Sequence, residues 1–582
     1  MYTILENARI VIALLKKHNI RRIVLSPGGS NIPIVQGVQQ DPFFKCYSIV
    51  DERSAMYFAI GLWHETGEII ATSCTTAQAT RNYLPGLTEA FYKHAPILAI
   101  TMSKHPRYLS QEYMQCPIQT SLPVDAVKKS FSLPRISTEQ DRTLCVRTAN
   151  EAMLEVTHNT LGPVQLNIEV LDSETYHFDK TLDLPDVRSI FRYDRFSKER
   201  FSLDGKKVML LIGEHRPFDK SEVKAIEAFC ESQNVFVYTQ HISNYHGKYA
   251  ITAAGVKTFM SNDAFAEKYS PDVLITFGGI TGDYSIYGTL SNMPICSFEH
   301  WRIDYGGNVV DTYGKLTKVF QMTIEEFCSF YSNGVCAEHS YYELWETASD
   351  ALNLTVDLPL SNMYVAQQLH TKIPGGSRMN FAILNSLRVW SYFPLDSSIV
   401  CSSNVAAFGI DGCMSCLVGQ SVETNNLAFQ VIGDLAFFYD MNSLGVRHIK
   451  NNLRILLINN NGGGEFKLVG NLIKETDVNS YIAADGHFKN AKGWAETCGF
   501  IYLPVVEKKE LERYTNIFVS ESDKPILMEV FVTPSQEREA ADIMRSTNHY
   551  ETQSGKIKRV IKSGIKSVCG ERGVEFIKKV RR

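Results

Sequence analysis

Four short runs constrain this chain more than anything else in it: Val208-Met-Leu-Leu-Ile-Gly213, Val273-Leu-Ile-Thr-Phe-Gly-Gly279, Ala428-Phe-Gln-Val-Ile-Gly433 and Leu453-Arg-Ile-Leu-Leu-Ile458. Each is apolar nearly throughout rather than alternating, which is how a strand buried on both faces of a parallel sheet reads. Three of them run straight into glycine. Ile23–Leu25, Glu68–Thr72, Ile97–Thr101 and Val164–Ile168 are further strand candidates, and helical patterns fill the stretches between. That alternation predicts an α/β fold of doubly wound parallel sheets. Three blocks follow, at residues 1–185, 200–335 and 355–540. The polar stretch Ser173–Arg200, broken by Pro185, reads as a linker between the first two. No internal repeat at a fixed short period and no low-complexity tract interrupts the pattern.

The 582 residues suit about three domains. Lys+Arg (59) nearly balance Asp+Glu (63), so no global basic field exists to hold nucleic acid. No apolar run approaches the roughly 20 residues that span a bilayer. Ile4, Ala8, Val11 and Leu15 share one face of an expected N-terminal helix, too short an apolar run for a secretory leader. The 13 cysteines are odd in number and scattered, which points to a reducing, cytoplasmic setting. Cys413-Met-Ser-Cys416 lacks a second Cys/His pair and reads as two helix residues. The tail at 550–582 is basic, with ten Lys/Arg against three Glu from Glu551 onward. It reads as a solvated or docked helix, or as an arm for a membrane surface or a partner.

Chemistry concentrates at the ends of two adjacent strands. Gly433-Asp434 ends one run, and Asn459-Asn460-Asn461-Gly462-Gly463-Gly464 ends the next, 26 residues on from Asp434 to Asn460. That separation fits one crossover helix between parallel strands, so both turns lie on one sheet edge. A carboxylate, a carboxamide and a glycine carbonyl are hard oxygen donors suited to Mg²⁺ whose remaining ligands are phosphate oxygens. The glycines allow backbone to approach a diphosphate. Separately, Asp51-Glu52-Arg-Ser54-Ala55 opens a helix. Asp51 or Ser54 suits a cap, and Glu52 suits either a first-turn dipole role or a functional carboxylate.

The order of motifs resembles one enzyme family. Ser26-Pro-Gly28, Asp51-Glu-Arg-Ser-Ala55, Asn82-Tyr-Leu-Pro85, Gly162-Pro-Val-Gln-Leu-Asn167, Gly409-Ile-Asp-Gly412, Gly433-Asp-Leu435 and Asn459-Asn-Asn-Gly-Gly-Gly-Glu-Phe466 resemble the thiamine diphosphate (ThDP) enzymes. Within them, the branch that makes SEPHCHC (2-succinyl-5-enolpyruvyl-6-hydroxy-3-cyclohexene-1-carboxylate) from 2-oxoglutarate and isochorismate is the nearest. The resemblance spans about residues 1–540. It implies a pyrimidine-binding, a central and a diphosphate-binding domain in the three blocks. It also implies ThDP and Mg²⁺ as cofactors, and self-association as dimer or tetramer with the active site at the subunit interface. Glu52 then holds the aminopyrimidine as the catalytic carboxylate. Ile410 props the bent cofactor, and Gly433, Asp434, Leu435, Asn460, Gly462 and Gly463 surround it. Asp434, Asn460 and the Gly462 carbonyl are the implied metal ligands. Ser30, Lys104, His105, Gln115, Ser386, Arg388, Glu465 and Phe466 fall at implied substrate positions. No fingerprint for a second, flavin cofactor occurs in the middle block.

Several of those positions depart from the family pattern. Ser30, Val405 and Trp390 stand where the family places arginines, and Thr281-Gly-Asp-Tyr284 replaces a basic segment. Arg388 is the nearest substitute. Glu465 replaces an apolar residue. Cations of this kind hold substrate carboxylates, and a bidentate arginine is hard to replace. The first expectation is therefore a decarboxylating, C–C bond-forming transferase (a carboligase) with a 2-oxo acid donor and an acceptor less anionic than isochorismate. SEPHCHC synthesis itself, simple 2-oxo acid decarboxylation and a non-catalytic ThDP-binding role are the alternatives.

Overall fold

The computed structural model describes residues 1–335, 337–465 and 481–551. The chain packs as two units, Met1–Ser197 with Asp304–Met322, and Lys198–Ile303 with Thr323 onward. Phe466 and the basic tail from residue 552 lie outside the described residues.

In the first unit a two-residue strand, β1 (Tyr2–Thr3), is followed by the strands of a six-stranded sheet. These are β2 (Arg22–Leu25), β3 (Lys45–Ser48), β4 (Ile70–Cys74), β5 (Ile97–Ser103), β6 (Ser130–Leu133) and β7 (Val164–Glu169). They lie in the order β3-β2-β4-β5-β7-β6, all parallel. β4, β5 and β7 are buried almost residue for residue, as expected for a doubly covered sheet. The helix Glu6–Lys17 covers one face. Its Ala8, Val11 and Leu15 are fully buried as the periodicity implies, whereas Ile4 precedes the helix and is 40% exposed. The stretch read as a linker is structured instead. β8 (Phe178–Asp179) pairs antiparallel with β1, and β9 (Phe191–Asp194) pairs parallel with Leu316–Gln321. Val187 and Ile190 are buried. Its polar composition hid strands that are completed by partners far away in sequence.

The second unit holds two sheets. In one, β10 (Val208–Ile212), β11 (Val235–Thr239), β12 (Ala250–Thr252), β13 (Val273–Phe277) and β14 (Glu299–Ile303) run parallel in the order β12-β11-β10-β13-β14. With Leu316–Gln321 as β15, the last sheet comprises β16 (Arg378–Phe381), β17 (Val400–Ser403), β18 (Ala428–Gly433), β19 (Leu453–Asn459), β20 (Ile501–Val505) and β21 (Ile526–Phe531). Its order, β17-β16-β18-β19-β21-β20, repeats the topology of the first unit's sheet strand for strand. Every pair is parallel. Apolar layers on both faces of this sheet form its core, one around Phe381, Trp390 and Val431, the other around Phe437, Leu457 and Leu527. No helix among the described residues is long and apolar enough to cross a membrane. The described cysteines are free, Cys413 buried and Cys416 exposed on the helix Cys413–Val422.

Candidate active site

In the second unit, β18 and β19 pair with Gly433 opposite Ile458, so Asp434 and Asn460 leave the sheet side by side at its carboxyl edge. Gly433 caps the short helix Asp434–Tyr439. The Asp434 carboxylate is 2% exposed. Its Oδ2 accepts from the backbone N–H groups of Asn460 and Gly462, both at 3.0 Å, and from His487 Nε2 at 3.1 Å. Oδ1 accepts from Leu435 N–H at 2.7 Å. Burial pushes the carboxyl above its ordinary range, against the lowering effect of those donors. Asn460 Oδ1 is buried without a hydrogen-bond partner. Among the described residues no cluster of three His, Cys, Asp or Glu side chains forms. A metal at this edge would therefore draw on Asp434 Oδ1, Asn460 Oδ1 and a backbone carbonyl, leaving coordination positions for phosphate oxygens. That donor set fits Mg²⁺ held with a diphosphate.

The loop that carries Asn460 is braced from below and from the side. Gly462 has φ +157°, and a Cβ there would sit 2.4 Å from Asp485 Oδ1, so only glycine fits. At the base, Asn459 Nδ2 donates to the fully buried Glu529 at 2.7 Å, which also accepts from Ala491 N–H and the Tyr502 hydroxyl. Ile410, in the loop before the helix Cys413–Val422, is 37% exposed, an unusual position for isoleucine that leaves its side chain available.

The departures from the family pattern resolve unequally. Trp390 is fully buried and its Nε1 donates to Asn362 Oδ1 at 3.3 Å; Val405 is 1% exposed. Both belong to the core and neither offers a group to a ligand. Ser386 is buried on the same short helix, Asn385–Trp390. Arg388, the nearest substitute cation, is already engaged: its two terminal nitrogens donate to the two Glu465 oxygens, each at 2.9 Å. The substitute arginine and the glutamate that replaces an apolar residue thus neutralise one another. The guanidinium also lies 5.4 Å from the Tyr284 ring, which meets Phe408 edge-on at 5.6 Å. Burial pushes the Tyr284 phenol up to about 12, so it is a neutral donor at ordinary pH. The helix bearing Arg388 starts after Leu384, held at φ +66°, and Phe408 sits at φ +61°. Two strained non-glycine residues beside one charged pair are a common mark of a functional wall. Asp283, by contrast, is a buried cap that accepts from Ser285 and Ile286 N–H and from the Tyr238 hydroxyl.

In the first unit, Asp51 caps the helix Glu52–Thr66, accepting from Arg53 and Ser54 N–H at 2.9 and 3.4 Å. Glu52 is thereby spared that task. Its Oε2 accepts from Asn82 Nδ2 at 3.2 Å, joining two of the sequence motifs. Gly28 lies against Thr75, where a Cβ would come within 2.4 Å. Ser30 is buried beside the same threonine, its N–H donating to the Thr75 hydroxyl at 3.3 Å. Lys104 is buried at the end of β5. His105 accepts from Arg107 N–H at 3.1 Å and lies 3.7 Å from Glu169. Gln115 is exposed in a left-handed conformation, φ +61°. The neighbouring Gln119 is the buried glutamine, accepting from Ala77 N–H and donating to Asn167 and the Met102 carbonyl.

Sequence reasoning missed His487 and Glu529, and it met Tyr284 only as the end of the Thr281-Gly-Asp-Tyr284 segment. Neither of the two missed residues sits in a patterned motif, and the Asp485-Gly-His487 turn is the one local sign of a tight loop.

The sequence is similar to known proteins. Residues 6–122 match the family described as "Thiamine pyrophosphate enzyme, N-terminal TPP binding domain". A 2-succinyl-5-enolpyruvyl-6-hydroxy-3-cyclohexene-1-carboxylate synthase of Phocaeicola vulgatus is 34% identical over 91% of this chain and 96% of its own length. Its namesake in Bacteroides thetaiotaomicron is 33% identical over 94% of this chain and 99% of its own. One in Flavobacterium psychrophilum is 27% identical over 92% and 97%.

Proposed function

Because the chain belongs to the thiamine diphosphate enzymes, in the SEPHCHC synthase branch, we propose that it is a ThDP- and Mg²⁺-dependent carboligase that takes a 2-oxo acid donor and an acceptor less anionic than isochorismate. In this reading residues 1–185 bind the pyrimidine, 200–335 form the central domain and 355–540 bind the diphosphate. The active protein self-associates, as the family resemblance implies. ThDP supplies the electron sink that makes decarboxylation and carbon–carbon bond formation accessible. The chain's own part is to hold and orient it. Asp434, Asn460 and the Gly462 carbonyl take the metal, and Gly433, Leu435 and Gly463 line the diphosphate. Ile410 would pack against the bound cofactor, and Glu52 would hold a proton at the pyrimidine edge.

The observation that carries the acceptor assignment is the Arg388–Glu465 fork. With Trp390 and Val405 in the core, Arg388 is the cation left on this wall among the family positions of the second unit, and it is already paired. The wall is net neutral, with a phenol and an aromatic edge beside the pair. Such a surface suits a hydroxylated aldehyde or ketone better than a polycarboxylate. Ser386, Glu465 and, from the first unit, Ser30, Lys104, His105 and Gln115 remain the candidate substrate residues. Lys104 and His105 suit the donor's carboxylate, and the exposed Gln115 is the least supported.

The competing reading is authentic SEPHCHC synthesis, and the full-length identity to proteins of that name favours it. One assay separates them. Purified protein with ThDP, Mg²⁺, 2-oxoglutarate and isochorismate is examined for SEPHCHC by mass spectrometry, alongside CO₂ release from a panel of 2-oxo acids with neutral acceptors. Our reading expects negligible SEPHCHC and measurable turnover of another pair. SEPHCHC formed at the rate of an ordinary pathway enzyme overturns it.

A further inference from the structure

The segment Ala483–Lys489 lies against the loop that carries Asn460. Gly463 N–H donates to the Ala483 carbonyl at 2.5 Å, Gly486 N–H to the Asn461 carbonyl at 2.9 Å, and Asn459 Nδ2 to the Lys489 carbonyl at 2.9 Å. These bonds fix where one side chain from the segment can reach. That side chain is His487, 53 residues from Asp434 in sequence, whose Nε2 is 3.1 Å from Asp434 Oδ2. Its other nitrogen accepts from Lys489 N–H at 2.9 Å. Nδ1 therefore carries the lone pair and Nε2 carries the hydrogen, so the ring is an obligatory donor to the carboxylate. Phe438 meets the ring edge-on at 5.4 Å and limits its rotation. The His487 and Asp434 side chains are 9% and 3% exposed, so water does not readily replace this bond.

The consequence is an asymmetric carboxylate. Oδ2 receives three of the described donors, whereas Oδ1 receives one, from Leu435 N–H. An oxygen with three donors has no lone pair left for a cation; the other does. We propose that His487 is a positioning residue that pins Asp434 Oδ2 and so presents Oδ1 to the metal–diphosphate group. This rests on the assignment of Asp434 as a metal ligand. The same segment binds the Asn460 loop through its backbone, so one element sets both side-chain ligands. Outer partners of metal ligands typically govern about 10–100-fold in metal affinity.

The test uses full-length protein with saturating ThDP and measures Mn²⁺ affinity from the electron paramagnetic resonance signal of the free ion. His487→Leu keeps bulk and removes the donor; His487→Gln keeps a donor. The expected result is a 10–100-fold weaker Kd for His487→Leu, a change within about threefold for His487→Gln, and an unchanged melting temperature of the metal-free protein for both. Equal Mn²⁺ affinity in His487→Leu overturns the proposal. So does an equal loss in both variants, or a loss matched by melting of the metal-free fold, since each means the ring acts by shape rather than by its bond. Asp434→Ala serves as the separating control. If that variant keeps wild-type Mn²⁺ affinity, the ligand assignment fails first; if it loses affinity while His487→Leu keeps it, the positioning role alone fails.

Discussion

Two adjacent carboxylates, Asp51 and Glu52, both suited a helix start in the sequence, Asp51 (or Ser54) as its cap and Glu52 as a first-turn or functional acid. The structure separates them: Asp51 takes the two N-terminal amides, and Glu52 faces Asn82. Glu52→Gln keeps volume and the Asn82 contact but cannot hold a proton at the pyrimidine. We expect ThDP binding within a few-fold of wild type and hydrogen–deuterium exchange at the cofactor C2 position slowed by orders of magnitude. Unchanged exchange, followed by NMR, would return Glu52 to a purely structural role. At the Arg388–Glu465 pair the expectation runs the other way. Glu465→Ile removes the internal counter-ion and leaves a half-buried guanidinium seeking an anion. Charge-assisted pairs of this kind are worth about 2–5 kcal/mol when desolvated, and this one is partly solvated, so about 1–2 kcal/mol is the reasonable scale. We therefore expect KM for a carboxylated acceptor to fall roughly tenfold, since about 1.4 kcal/mol is a factor of ten, with little change for a neutral one.

At the scale of elements, one buried acid ties two helices together. Glu537, in the helix Pro534–Asn548, is 5% exposed and accepts from Asn362 N–H, the first residue of the helix Asn362–Leu369, at 2.7 Å. Burial raises its carboxyl to about 7. The sign follows from proton binding. Between the unfolded value near 4.5 and about 7 the native state holds more protons than the unfolded one, so this group's contribution falls as pH rises through that window. Above about pH 7 the charged form is a burden of up to about 3 kcal/mol. Glu537→Gln keeps the acceptor oxygen without the charge. It should melt higher than wild type at pH 8 and about equally at pH 5; a gain of the same size at both pH values would show that burial does not set this carboxyl. Elements also show where a local pattern stops being informative. The apolar runs Val208–Ile212, Val273–Phe277, Ala428–Gly433 and Leu453–Ile458 are strands as read, because burial on both faces leaves a mark in every residue. The strand Phe191–Asp194 alternates weakly, and its partner Leu316–Gln321 lies more than a hundred residues on, so its stretch passed for a linker.

For the whole molecule, the cofactor should act as a linkage ligand. A ligand at 100 times its Kd adds about 2.7 kcal/mol to apparent stability if it binds only the folded state. With several sheets in two units the unfolding need not be two-state, so the expected signature is a rise in the transition that reports the last sheet. ThDP with Mg²⁺ should raise it clearly, either one alone should do less, and Asp434→Ala should remove most of the effect. Calorimetry that shows no shift in the intact protein would sink the cofactor assignment.

What the sequence determined by itself was whatever is written locally. The strand runs are legible because continuous burial demands β-branched and aliphatic residues. The Gly433-Asp434 and Asn459–Gly464 turns are legible because tight turns at a strand's carboxyl end tolerate few residue types. Their order, with Glu52 in a separate block, pointed to the family that the comparisons bear out. What only the tertiary structure decided depends on which distant side chains meet. Arg388 and Glu465 are 77 residues apart, and their bonding converts a candidate substrate cation into half of a neutral pair. Trp390 and Val405, read as lost arginines facing a ligand, are core residues. His487 reaches Asp434 only because a segment beyond the Asn460 loop folds back onto it. A one-dimensional pattern records burial and turn chemistry residue by residue, whereas charge pairing and ligand geometry are properties of distances, and those are fixed only when the sheet order brings its loops to one edge.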